Sequence, residues 1–163
     1  MTTIRPVSEA DADAVTAIYA HHVLHGTGTF DIDPPGVAHW RDRIADIVAR
    51  GWPFLVAERE GRVLGYAYAA QFRDRAAYRA SCEDSIYIAE QARGSGVGTA
   101  LLGALIDAAP AAGFREMVAV VGGPEPASVA LHGKLGFREV GRLSDIGEKF
   151  GRSLDVLFLQ RTL

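Results

Sequence analysis

The stretch Gln91-Ala92-Arg93-Gly94-Ser95-Gly96-Val97-Gly98-Thr99 decides how this chain is read. The segment from Glu83 to Ala89 precedes it with the character of a strand. Leu101, Leu102, Leu105 and Ile106 follow it on one side of a helix. Glycines let a backbone approach a ligand closely and take positive φ where a turn needs it. The free N–H groups of a first helical turn, with the helix dipole, then form an anion site, and Arg93 adds a fixed charge. A phosphate or pyrophosphate is the natural guest. The Gly-Lys-Ser/Thr ending of a Walker loop is absent. A dinucleotide fingerprint wants its third glycine at Thr99 rather than Gly98, and an acidic residue near the end of the next strand, where Glu116 instead stands at the beginning. A tight turn without a ligand is the remaining reading of this loop taken alone.

Strand and helix signals alternate outward from this turn. Ile4 to Val7 is a short strand, and Ser8 with Asp11 makes a capping-box-like start to a helix with Val15, Ile18, Tyr19 and Val23 on one face. A loop of turn formers, His25 to Pro35, leads to a second helix with Val37, Trp40, Ile44, Ile47 and Val48 facing inward. Phe54–Ala57 and Arg62–Ala70 flank Glu60-Gly61 as an antiparallel hairpin. After the glycine turn and its helix, Gly113 stops the chain, Met117–Val121 is a strand, Ala127–Leu135 a helix, and Phe137–Leu143 and Leu154–Leu159 are closing strands. The pattern predicts one mixed α/β domain over residues 1–163.

Composition excludes several classes. With a formal net charge of −3 there is no basic stripe of the kind nucleic-acid binders carry. No apolar run approaches the ~18–20 residues of a membrane span, and Met1–Pro6 lacks a secretory h-region. The one cysteine, Cys82, allows no internal disulfide and fits a reducing compartment, so a cytoplasmic protein is expected.

Gln91, Gly94 and Gly96 match, letter for letter, the Gln/Arg-x-x-Gly-x-Gly/Ala motif of the GNAT acetyltransferase superfamily, which the chain resembles over nearly its whole length. Leu135-Gly136-Phe137 is similar to that family's usual ending after its last helix. Within it, Ser85-Ile86-Tyr87-Ile88, Val118–Gly122, Ser128-Val129, Leu131-His132, Phe54–Glu58 and Gly65–Ala69 resemble the phosphinothricin and methionine-sulfoximine acetyltransferases. The resemblance implies a GNAT fold, a mixed and mostly antiparallel sheet of about seven strands with about four helices. It implies acetyl-CoA as cosubstrate, its pantetheine arm along Ile86, Tyr87 and Ile88, and its phosphates on the turn Gln91, Arg93, Gly94, Ser95, Gly96, Val97, Gly98 and Thr99. Where the family usually has an asparagine before the last helix, this chain has Glu125, which adds negative charge near an anionic ligand; Ser128 remains as a polar partner.

Acyl transfer to an amine requires a free amine, a polarised carbonyl and an outlet for the thiolate. By resemblance Glu83 is the base, directly or through water, with Asp84 the alternative; alternation along a strand sends the two to opposite faces. His132 either protonates the thiolate or packs against pantetheine, and a backbone N–H near Ile86 polarises the carbonyl. The loop with Phe72, Arg73, Arg75 and Tyr78 is expected to hold an anionic, amino-acid-like acceptor, since guanidinium groups fork onto carboxylates and phosphinates. Ser85 and Phe30 are further candidates for that pocket. Arsinothricin, a protein N-terminus, or coenzyme binding without turnover are the alternative readings. No metal is expected from His21, His22 and His25, and no acyl-enzyme on Cys82. The subgroup tends to dimerise, which implies a homodimer that the sequence by itself does not establish.

Overall fold

The computed structural model describes residues 1–163. In chain order the elements are β1 (Thr3–Pro6), α1 (Ala12–His25), α2 (Val37–Ala49), β2 (Phe54–Arg59), β3 (Arg62–Gln71), β4 (Ser81–Ile88), α3 (Val97–Ala108), β5 (Glu116–Gly122), α4 (Pro126–Lys134), β6 (Arg138–Lys149) and β7 (Arg152–Thr162). The strands form one sheet in the order β1-β2-β3-β4-β5-β7-β6. The β4–β5 pair is parallel and every other pair antiparallel. A parallel pair needs a long crossover, and α3 supplies it. No helix is long and apolar enough to cross a membrane.

Each face of the sheet buries its own apolar set. Leu101, Leu102 and Leu105 of α3 pack on Ala67, Cys82, Met117 and Leu157. On the other face Val15 and Tyr19 of α1 and Trp40 and Ile47 of α2 pack on Val56 and Tyr66. Ser8 and Asp11 do form the capping box, with the Ser8 N–H donating to Asp11 at 2.7 Å. Arg5 ties the same carboxylate to β1 at 2.8 Å and holds it at a pKa of about 2, chiefly through their hydrogen bond.

Two hairpins turn alike. Glu60-Gly61 and Phe150-Gly151 both place two successive residues at positive φ, which is the twist a two-residue hairpin loop favours. The second hairpin extends well beyond its expected strands. β6 is an edge strand with mostly exposed residues and two register shifts, so it carries no clean period of two. Val48 is 54% exposed rather than inward; it follows the fully buried Ile47 and so turns about 100° away from the core.

Candidate active site

Strands β4 and β5 pair at only three positions: Ser81 with Glu116, Cys82 with Met117, and Glu83 with Val118. Beyond these they part, although β4 stays paired with β3 through Ile88, and β5 with β7 through Gly122. The facing backbone edges therefore line a cleft. Its cavity of about 550 Å³ is walled by Glu83 to Ile88, by Ala119 to Val121, by the glycine turn and by α4. An extended ligand laid in it can take the place of a missing strand, with main-chain N–H and C=O groups of β4 as partners.

The glycine turn closes one end. Gly94 has φ 73° and Gly96, the N-cap of α3, has φ 83°. A Cβ at either would meet no heavy atom within 4 Å, so the turn is bare on that side. At Gly98 a Cβ would touch the Leu131 side chain of α4 at 3.4 Å, so here the turn packs against α4. Arg93 and Glu125 face each other at 3.7 Å, and Arg93 also meets Glu90 at 3.3 Å. Glu125 makes no cap hydrogen bond with its side chain. Its charge is set against Arg93 instead, which lessens its conflict with an anionic guest.

Of the residues expected on the cofactor, Ile86, Tyr87, Ile88, Arg93, Gly94, Gly96, Gly98, Thr99, Glu125 and Ser128 line the cavity. Gln91, Ser95 and Val97 do not. The Gln91 side chain is exposed, the Ser95 hydroxyl donates to the Ala92 carbonyl at 2.6 Å, and Val97 is buried in the core beneath the turn. Ser95 and Val97 thus hold the turn from within.

Alternation along β4 sends Cys82, Asp84 and Ile86 to the α3/α4 face and Glu83, Ser85 and Tyr87 to the α1/α2 face, as expected. Glu83 and Ser85 line the cavity. Burial, and then the charge of Asp84, raise the Glu83 pKa, while Arg73 and Arg43 oppose the rise. Asp84 is not a free base: its Oδ2 is 2.8 Å from Nε2 of His132. The Cys82 thiol is fully buried, and burial with the Asp84 charge pushes it up to about 12, so it makes no nucleophile at neutral pH.

Of the expected acceptor residues Ser85 stands in the cavity wall, and the others lie around it. Half-buried Phe72 and exposed Arg73, Arg75 and Tyr78 form a loop outside it. Gln71 pins the loop by donating to the carbonyls of Arg73 and Arg75 at 2.6 and 3.1 Å. Phe30 is packed against Gly122 and Gly147, where any Cβ would strike its ring. Its loop is anchored by Lys149, which donates to the Thr29 carbonyl at 2.9 Å.

Sequence reasoning missed Arg43 and His22. Arg43 lies one turn after Trp40 on α2, half-buried, with its guanidinium 5.2 Å from the centre of the Tyr68 ring. An unpaired arginine on the inward side of a helix was the available signal. His22 donates Nε2–H to the Ile88 carbonyl at 2.8 Å, so it holds the end of β4. Nothing in the sequence ties it to a residue 66 positions away. No group of three or more His, Cys, Asp or Glu is arranged to hold a metal ion.

The acetyltransferase (GNAT) domain family matches residues 4–158. The chain belongs to the GNAT acetyltransferases. This membership makes it an acetyl-CoA-dependent N-acetyltransferase. It is 47% identical over 162 residues to the phosphinothricin N-acetyltransferase of Alcaligenes faecalis, covering 99% of this chain and 82% of the relative. It is 37% identical over 162 residues to the L-methionine sulfoximine/L-methionine sulfone acetyltransferase of Pseudomonas aeruginosa, covering 99% and 94%. Among solved structures, the GNAT superfamily phosphinothricin acetyltransferase of Sinorhizobium meliloti, in complex with acetyl-CoA, superposes with a TM-score of 0.97 at 47% identity, covering 99% of this chain and 88% of that one. The bare glycine turn and the parted strands of this GNAT protein fit such a cosubstrate.

Proposed function

We propose that this protein transfers acetyl from acetyl-CoA to the α-amine of a small anionic amino-acid analogue of the phosphinothricin or methionine-sulfoximine type, by direct attack with both substrates bound. The observation that carries this is the setting of Glu83: a partly buried carboxylate in the cavity wall, with two arginines in its field and neither of them paired. Acetyl-CoA supplies an activated acyl carbon. Backbone groups of Ile86 to Ile88 hold the arm, and the turn from Gly94 to Thr99 holds the phosphates. Glu83 takes the amine proton, and a raised pKa makes its carboxylate a stronger base. A backbone N–H near Ile86 steadies the charge that develops on the carbonyl oxygen. A thiol is far more acidic than an amine, so coenzyme A leaves the tetrahedral intermediate as a thiolate and takes its proton from water, without a protein acid.

Arg43 and Arg73 approach Glu83 from α2 and from the loop after β3, and they suit the acid group of an acceptor whose amine lies at Glu83. Arg43→Ala and Arg73→Ala are each expected to raise the acceptor KM about ten- to a hundredfold, the worth of one charge-assisted contact. The KM for acetyl-CoA is expected to stay the same. Initial rates at varied concentrations of each substrate check this, and equal effects on both KM values would assign the arginines to structure. The function itself is tested by acetyl-CoA-dependent thiol release. L-Phosphinothricin and methionine sulfoximine are expected to turn over, and a polyamine and an aminoglycoside, both cationic, are not. Release only with the cations would reverse the assignment.

A further inference from the structure

Asp84 and His132 form a deeply buried ion pair, with side-chain exposures of 1% and 3% and a distance of 2.8 Å between Oδ2 and Nε2. The other ring nitrogen, Nδ1, is 2.7 Å from the Ser128 carbonyl oxygen, and the ring meets Phe137 edge-on at 4.9 Å. A carbonyl oxygen can only accept, and so can a carboxylate. A ring with a proton on each nitrogen satisfies both. Asp84 Oδ1, by contrast, is buried with no hydrogen-bond partner in the protein, although Asp84 and His132 both stand in the cavity wall. An anionic oxygen left bare in a buried wall calls for a donor from the ligand.

We propose that Asp84 holds His132 as a doubly protonated imidazolium and offers its free Oδ1 to an N–H donor of acetyl-CoA, so that the pair positions the cosubstrate while His132 keeps both protons. His132 then has no hydrogen directed at the leaving sulfur, and it is a positioning residue rather than the acid. The surroundings agree. On β4 the titratable neighbours of Asp84 in sequence are Cys82 and Glu83, neither bonded to the ring; β5 contributes only apolar side chains to the buried cluster, and Lys134 of α4 is exposed. Burial works against the charged ring, but the hydrogen bond and charge of Asp84 outweigh it and raise its pKa. The stabilisation is thus complete below the unfolded value of about 6.5 and is lost as pH rises through the folded one.

The test combines spectroscopy with kinetics. Long-range ¹H–¹⁵N spectra of the unaltered enzyme should show both His132 nitrogens protonated from pH 6 to 8, and Asp84→Asn should leave the ring neutral at pH 8. The alkaline limb of kcat should stay in place in Asp84→Asn although the ring has lost a proton. Asn keeps an oxygen at the free position, so its acetyl-CoA affinity by calorimetry should fall less than about threefold, whereas Asp84→Val should lose more than about tenfold. A ring found neutral at pH 7 in the unaltered enzyme, a kcat limb that moves down with the ring, or equal affinities for the two variants would each overturn the proposal. If the Val variant does not fold, the spectra and the kcat limb of the Asn variant decide. Calorimetry needs no acceptor, so failure here is distinguishable from failure of the proposed acceptor class.

Discussion

Glu83→Gln lowers kcat by about 10²- to 10³-fold, within the range of a lost general base, and leaves the affinity for acetyl-CoA unchanged. Gln keeps the size of the side chain and removes only its ability to take a proton. The cosubstrate contacts expected along β4 are made by backbone, which the exchange does not alter. The pH profile carries the same signature. The base must be ionised, and burial together with the Asp84 charge raises the Glu83 pKa. The ascending limb of kcat therefore lies above the ordinary glutamate value of about 4.3, and it vanishes in the Gln variant. A variant with unaltered kcat and an intact limb would remove Glu83 from the chemistry.

Gly96→Val raises the KM for acetyl-CoA by at least about tenfold. Gly96 is the N-cap of α3 at φ 83°, a conformation that costs an L residue about 1–2 kcal/mol and a β-branched one more. The added Cβ would meet no neighbour, so the penalty arises in the backbone and not from a clash. Relief of that strain tilts the first turn of α3 and the N–H groups of Val97, Gly98 and Thr99 with it, and these are the groups proposed to hold the phosphates. Gly96→Asn tolerates the left-handed region better and is expected to lose less. KM values of the two variants, with the acceptor saturating, check the order. An unchanged KM in Gly96→Val would mean that the phosphates are held elsewhere.

Much of this was legible before any coordinates. Val15, Ile18, Tyr19 and Val23 recur at helical spacing because one side of α1 is buried, and they are the residues found there. Gly61 announced its hairpin because glycine takes positive φ without cost, although Glu60 beside it is not a residue that favours that region. The glycine turn was equally readable, since its conformation constrains its letters. The length of β6 was not, because an exposed edge strand with two register shifts leaves no periodic mark. Nor was the partner of His132, which comes from a strand 48 residues away and is fixed by packing alone. Adjacent letters made Glu83 and Asp84 rivals for one role, whereas the sheet gives each its own face and pairs only Asp84 with His132. Arg43 escaped notice for a related reason: its value lies in what stands opposite on Tyr68 and Glu83, not in its own helix.

The proposed reaction is acetyl transfer to the α-amine of an anionic amino-acid analogue. It is tested most directly by incubating the protein with acetyl-CoA and L-phosphinothricin and identifying the product by mass spectrometry and NMR. One acetyl group on the α-nitrogen is expected for each coenzyme A released. Coenzyme release without acetylated phosphinothricin, or acetyl transfer confined to a peptide N-terminus, would contradict it.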